Sequence, residues 1–177
     1  MKIMLTTTTA VALISGAAHA AIVTETESND TFATANDIGT YDFPGDGIVV
    51  DGELTAATEG ESGDVDWFSF SIDNTATAFV AALFDLNPDE ENDGIMALFD
   101  SNGDEIIFDD DSGIDLMPSL QTFNLAVGTY YLAISGFDDS DFVGDHNEAF
   151  EYKLVLGLNI PAPAGLAALG LGGLVAT

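Results

Sequence analysis

Gly63-Asp64-Val65-Asp66-Trp67-Phe68-Ser69-Phe70-Ser71-Ile72 runs from an acidic loop straight into an amphipathic segment. Phe68, Phe70 and Ile72 alternate with Ser69 and Ser71. That period of two places apolar side chains on one face and small polar ones on the other, the pattern of a half-buried β-strand. Trp67, the only tryptophan, stands where the loop enters the sheet. Asp64 and Asp66 are expected to point away from the core, carrying charge that must be solvated, paired or bound to a cation.

The same period recurs on both sides of this stretch. Residues 47–55 read as a strand before it. After it come residues 76–86, where Phe79, Ala81 and Leu83 share a face, and residues 94–100. Asn102-Gly103 is a tight-turn dipeptide leading into residues 105–108. Residues 119–127 follow, and Gly128 turns the chain into residues 129–136, with Tyr130, Leu132 and Ile134 on one face. Residues 151–158 close the series with Tyr152, Leu154, Leu156 and Leu158. Residues 31–38 are read as a short helical turn capped by Asp30 or Thr31. The expectation is an all-β domain: an antiparallel β-sandwich, jelly-roll-like, of seven to nine strands.

Charge narrows the function. The chain has 31 Asp and Glu against two cations, Lys2 and Lys153, and no arginine. A phosphate backbone is bound through Lys and Arg, so no nucleic-acid partner is expected. Anionic membrane surfaces are disfavoured for the same reason, whereas divalent cations are favoured. With 47% hydrophobic residues and 12 phenylalanines the chain can still pack a core. Cysteine is absent, so stability must come from that core, from a metal, or from both.

The two ends read as addresses. Residues 1–20 have the form of a secretory signal peptide: Lys2, an apolar Thr-rich run, and Ala18-His19-Ala20 as the cleavage site, with the mature chain starting at Ala21. Residues 160–177 open on Ile160-Pro161-Ala162-Pro163-Ala164 and continue without a charge. They fall short of the roughly 20 residues that span a bilayer. This tail resembles the PEP-CTERM sorting signal of Gram-negative bacteria in a Pro-Ala-Pro variant. The resemblance implies processing by an exosortase, transient membrane association through the tail only, and delivery to the cell surface or extracellular matrix. The family usually ends in a short Arg-rich cluster that is not seen before Thr177, so a truncated or partial signal is expected. One domain, residues 21–159, lies between the two ends.

An ordered set of motifs carries a second resemblance. Glu25-Thr26-Glu27-Ser28-Asn29-Asp30 is followed by Gly52, then Asp64-Val65-Asp66-Trp67-Phe68-Ser69-Phe70. Next come Leu98-Phe99-Asp100-Ser101-Asn102-Gly103, Asp109-Asp110-Asp111, Gly128-Thr129-Tyr130-Tyr131-Leu132 and Tyr152. The series is similar to the bacterial pre-peptidase C-terminal domain in a stand-alone secreted form. The resemblance implies a jelly-roll-like sandwich, and in some members calcium binding. Carried over residue by residue, the implied ligands are Glu25, Glu27, Asn29, Asp30, Asp64 and Asp66, with calcium in a structural role. The competing reading is that these are solvated acids in an acidic chain.

The other acidic runs are read more plainly. Asp100 to Asp104 resembles the start of an EF-hand loop but has Glu105 where that loop needs glycine, so it is read as a hairpin turn. Asp109-Asp110-Asp111 reads as a solvated turn with calcium a lesser option. Asp138, Asp139, Asp141 and Asp145 read as a solvated loop, and His146 as an ordinary loop residue. Tyr131, Tyr41 and Phe43 are weighed as exposed sugar-stacking aromatics against ordinary packing, which is preferred. No Cys nucleophile, Gly-x-Ser-x-Gly elbow or His cluster is present. The expected function is therefore a non-catalytic exported protein with a structural or adhesive role. The alternatives are a module binding exopolysaccharide or another surface protein and, from another class, a carboxylate-dependent glycoside hydrolase.

Overall fold

The computed structural model describes residues 20–41, 47–87 and 90–159. The expected signal peptide (apart from Ala20), Phe43 and the tail at 160–177 lie outside them. Among the described residues there are ten strands and no helix. They are β1 (Ala20–Thr24), β2 (Asn36–Tyr41), β3 (Gly47–Leu54), β4 (Asp66–Ile72) and β5 (Ala76–Asp85), then β6 (Gly94–Phe99), β7 (Glu105–Asp109), β8 (Ser119–Leu125), β9 (Gly128–Gly136) and β10 (Phe150–Asn159). Two five-stranded sheets form the sandwich, ordered β1-β3-β10-β5-β8 and β2-β4-β9-β6-β7.

The strand count exceeds the expected seven to nine, and the sheets are not purely antiparallel. β1 pairs with β3, and β2 with β4, in parallel. The cause is the path of the chain. From β1 to β5 each strand lies in the opposite sheet from the one before. A chain that crosses over and returns comes back running in its original direction. The one sequential pair within a sheet is β6–β7, joined by the hairpin that Asn102-Gly103 predicts. Residues 31–34 form a turn closed by Thr34 N–H on the Thr31 carbonyl (2.9 Å), and β2 replaces the rest of the expected helical turn.

Both faces of β4 are used. Phe68, Phe70 and Ile72 join the main core between the sheets, where Phe70 stacks on Phe79 at 5.6 Å and on Tyr130 at 5.9 Å. Each such phenylalanine contributes about 1.5–3 kcal/mol by leaving water. Trp67 points the other way into a second cluster with Ile95, Ala97, Ala133 and Phe142. Phe142 comes from the β9–β10 connection, and Asp139 secures it there. The Asp139 carboxylate accepts from Ser135 Oγ (2.6 Å) and from the N–H groups of Val143 and Gly144 (3.1 and 2.8 Å). Asp139 is thus a buried tie and not one of the solvated loop acids that the sequence suggests. Tyr41 is likewise buried, in β2, and Tyr131 stacks on Phe32 at 3.9 Å.

Candidate metal centre

β1 belongs to one sheet and β2 to the other, so residues 25–35 carry the chain across one end of the sandwich. Glu25 N–H continues the β3 ladder by donating to the Asp51 carbonyl (3.0 Å), and Asn29 O receives Trp67 N–H (3.1 Å) from β4. The Asn36 amide clasps the crossing, accepting from Thr26 N–H (2.8 Å) and donating to Thr26 O (2.9 Å). The Glu27–Ser28 peptide is cis. The acidic run therefore lies against the entrance to β4, where Asp64 and Asp66 stand.

All six residues singled out in the sequence meet there. Carboxylate oxygens of Glu25, Glu27 and Asp66 lie within 4.8 Å of one another, and so do those of Glu27, Asp30 and Asp64. Glu27 belongs to both triads. Asn29 Nδ2 donates to Glu25 Oε1 (3.2 Å) and to Trp67 O (3.4 Å), which orients its amide. Beside the acids opens a cleft of about 660 Å³, lined among others by Ser28, Thr31, Ser62 and Phe142.

The expectation that Asp64 and Asp66 point away from the core is wrong. Asp66 is 0% exposed and Asp64 is 8% exposed. Asp66 shares the inward face of β4 with Phe68 and Phe70, so the strand's own alternation directs it between the sheets. Facing it from β10 is Tyr152, whose hydroxyl donates to Asp66 Oδ2 (2.6 Å). Tyr152 reads in sequence only as a core residue, and the apolar residues that follow it in β10 hide its polar end. Gly52 makes room for the pair: a methyl group there would strike the Tyr152 ring and lie 2.7 Å from Glu25 Oε2. Glu25 Oε2 also accepts from Glu53 N–H (2.9 Å).

Among the described residues, Asp66 Oδ1 and Asn29 Oδ1 at this end are buried and neither receives a hydrogen bond. Buried polar atoms are normally satisfied, and an acceptor without a donor calls for a proton or a cation. The electrostatics agree. Burial, then the neighbouring Glu25 carboxyl, holds the Asp66 carboxyl well above the usual carboxylate range. Burial, then contact with Asp30 and the charges of Glu27 and Glu25, pushes Asp64 up to about 8. Glu27 is raised by burial and by Glu25 and Asp30.

His146 closes the site from behind and is no ordinary loop residue. It is buried. Its Nδ1 accepts from Glu148 N–H (3.2 Å), so Nε2 carries the proton and donates to the Asp64 carbonyl (2.8 Å). A second group, Asp93, Asp110 and Asp111, also converges, with Asp93 Oδ1 and Asp110 Oδ1 unpartnered. Burial, then the charges of Asp110, Asp111 and Glu148, pushes Asp93 up to about 6. Asp109 in the same run is a tie, accepting from Ser112 and from Ser119 N–H (2.7 Å).

No family model matches the chain, and no curated protein matches it. Solved structures do. The pre-peptidase C-terminal domain of a collagenase from Bacillus anthracis aligns with 18% identity and a TM-score of 0.47, over 69% of this chain and 93% of that one. Aeromonas hydrophila PliG, a periplasmic inhibitor of g-type lysozyme, aligns with 13% identity and a TM-score of 0.41, over 81% and 100%. A β-glucosidase from Paenibacillus barengoltzii aligns with 12% identity and a TM-score of 0.31, over 76% of this chain and 13% of that one. At these scores the similarities carry nothing about function.

Proposed function

We propose that this chain is an exported, non-catalytic β-sandwich with a structural or adhesive role at the cell surface or in the extracellular matrix. In this reading calcium held by Glu25, Glu27, Asn29, Asp30, Asp64 and Asp66 secures one end of the sandwich. The observation that carries it is the pair of buried, unpartnered oxygens, Asp66 Oδ1 and Asn29 Oδ1, beside a cluster of carboxylates. Calcium takes six to eight hard oxygens from carboxylates, amides and backbone carbonyls, and this donor set consists of nothing else. Glu27 belongs to both triads, so its loss would remove a donor from each. When bound, calcium would supply the positive charge these acids lack and join the 25–30 crossing to β4. In a chain without cysteine it would act as the cross-link that a disulfide provides elsewhere. Export and sorting rest on the sequence of the two ends.

The test is thermal unfolding in millimolar calcium and in chelator, for the unsubstituted chain and for Glu27→Ala and Asp66→Ala. A midpoint raised by several degrees, with the rise abolished in either variant, is expected. No calcium response in the unsubstituted chain would defeat the metal reading.

A further inference from the structure

Each sheet ends in two edge strands, and three of these four are guarded. β2 carries Asp37 and an irregular pairing between Asp37 and Thr40. β7 carries Glu105 and Asp109. β1 is five residues long and runs into Glu25 and Glu27. Charge, irregularity and shortness are the usual devices that keep an open ladder from pairing with another chain. β8 lacks them over residues 119–123. Residues 116–137 carry no charge, and Asn124, at φ +60°, distorts only the far end of the strand.

Among the described residues β8 is paired on one side alone, with β5. The direction of its backbone groups follows from one bond. Leu83 N–H donates to the Pro118 carbonyl (3.1 Å), so Pro118, Leu120 and Thr122 turn their backbone groups toward β5 in this antiparallel ladder. Ser119, Gln121 and Phe123 turn theirs to the open side. Ser119 agrees: its N–H leaves the sheet for the Asp109 carboxylate (2.7 Å). Gln121 and Phe123 therefore present N–H and C=O groups at the edge. Their side chains stand on the outer face beside Val80 and Ala78, and Phe123 is 60% exposed. Leu120, on the opposite face, is buried.

An edge of this kind selects its partner. It offers no charge to a basic or an acidic strand, so an uncharged strand of alternating character fits it, and every copy of this chain carries one. Paired about a two-fold axis, the edge is self-complementary. The pairing also tolerates a net charge of −29 per copy. Asp109, the acid bonded to this edge, sits at its Ser119 end. A two-fold axis at Thr122 sets the two Ser119 ends about 20 Å apart along the strands, beyond the roughly 8 Å over which exposed charges act at physiological salt.

We infer that β8 pairs antiparallel with β8 of a second copy, Gln121 facing Phe123 across a two-fold axis at Thr122, so that the two β1-β3-β10-β5-β8 sheets become continuous. The edge groups of Gln121 and Phe123 are then satisfied in both copies, and each Phe123 is covered. The inference is independent of the calcium reading. Sedimentation velocity of the full chain over a concentration series is expected to show a reversible dimer. Gln121→Pro, which removes an edge N–H, and Phe123→Glu, which adds a charge at an exposed position, should each raise the dissociation constant at least tenfold. Salt should tighten the dimer, because the screening length falls from about 30 Å at about 0.01 M to about 3 Å at about 1 M. A chain that stays monomeric throughout, a dimer indifferent to both substitutions, or a dimer that salt dissociates would each overturn the inference. Thr122→Cys keeps the test independent of those variants. At the axis the two Cα atoms would lie about 4.5 Å apart, within disulfide range, and the chain has no other cysteine. With oxidised glutathione this variant should form a disulfide-linked dimer at least tenfold faster than Ile106→Cys on β7, although Ile106 is the more exposed of the two. Equal rates would also overturn it.

Discussion

Asp100 and Asp66 are both aspartates at a junction of strand and loop, and the protein treats them in opposite ways. Asp100 follows β6 and is surrounded by donors: its carboxylate accepts from Asn102 N–H (2.8 Å), Asp104 N–H (3.1 Å) and Asn102 Nδ2 (3.1 Å). Those hydrogen bonds, led by the Asn102 and Asp104 amides, hold it below its ordinary value. Asp66 opens β4 and is surrounded by acceptors, with the Tyr152 hydroxyl its one donor among the described residues. Burial and Glu25 hold it far above. Acidity alone thus says little about metal binding. A carboxylate already supplied with N–H donors has no call for a cation, whereas carboxylates that face one another do.

Calcium should break the symmetry between the two most strongly. Occupancy at about a hundredfold over Kd adds roughly 2.7 kcal/mol, which raises the midpoint of a domain this size by about 10 °C. Asp66→Ala should abolish that rise, and Asp100→Ala should leave it intact. Calorimetry of both variants with calcium and with chelator reads the difference, and an equal response in the two would erase the contrast.

Next in size is Gly52→Ala. The added methyl displaces Tyr152 and Glu25 together, an overpacking worth about 1–3 kcal/mol. Urea unfolding should show the loss, and calcium titration of the same variant should show weaker binding, because both the Asp66 partner and a proposed ligand have moved.

Acid should reveal the contrast without any mutation. Asp64 and Asp66 have folded-state values raised above their unfolded ones, so the native state binds more protons than the unfolded chain. Their contribution is fully present below about pH 4, the unfolded value, and is lost as pH rises through the folded values, about 8 for Asp64. In chelator the midpoint should therefore climb as pH falls from about 8 toward 5. Saturating calcium should flatten that slope, because it requires the ionised carboxylates. A chelated chain whose stability falls steadily over the same window would contradict the geometry.

The smallest effect expected is that of Asp100→Ala itself: a slight drop in midpoint at neutral pH. Its sign with pH is the reverse. The lowered value of Asp100 contributes above its unfolded value and is lost as pH falls through the folded one. The difference between variant and unsubstituted chain should vanish in strong acid.

Alternation was enough to place most strands. Phe79, Ala81 and Leu83 in β5, and Tyr152, Leu154, Leu156 and Leu158 in β10, face the core as the period of two requires, because side chains on a strand have only two directions to take. Asn102-Gly103 marks its hairpin for an equally local reason. β2 escaped notice: its residues are largely polar, and Gly39, at φ +110°, interrupts the pairing between Asp37 and Thr40. β1 went unread as well: it is only five residues long, and the first of them, Ala20, falls in the segment read as a signal peptide.

The acids of the candidate site were visible as residue types, and their convergence in space was implied by the family resemblance, not by the residues themselves. The same alternation that puts Phe68 inside puts Asp66 inside, yet its charge argued for the surface. Tyr152, 86 residues away in the other sheet, gives that carboxylate a donor. Asp139 and His146 were hidden for the same reason: a solvated acid and a buried tie are spelled alike, and the N–H groups that distinguish them come from chain folded around them. What the sequence by itself determined about this protein is what depends on neighbours along the chain: strand direction, turn chemistry, charge and the absence of cysteine. Which sheet each strand joins, the parallel pairs, and the meeting of six oxygen-bearing side chains at one end were decided by tertiary structure. Those depend on which segments, distant along the chain, came to lie face to face.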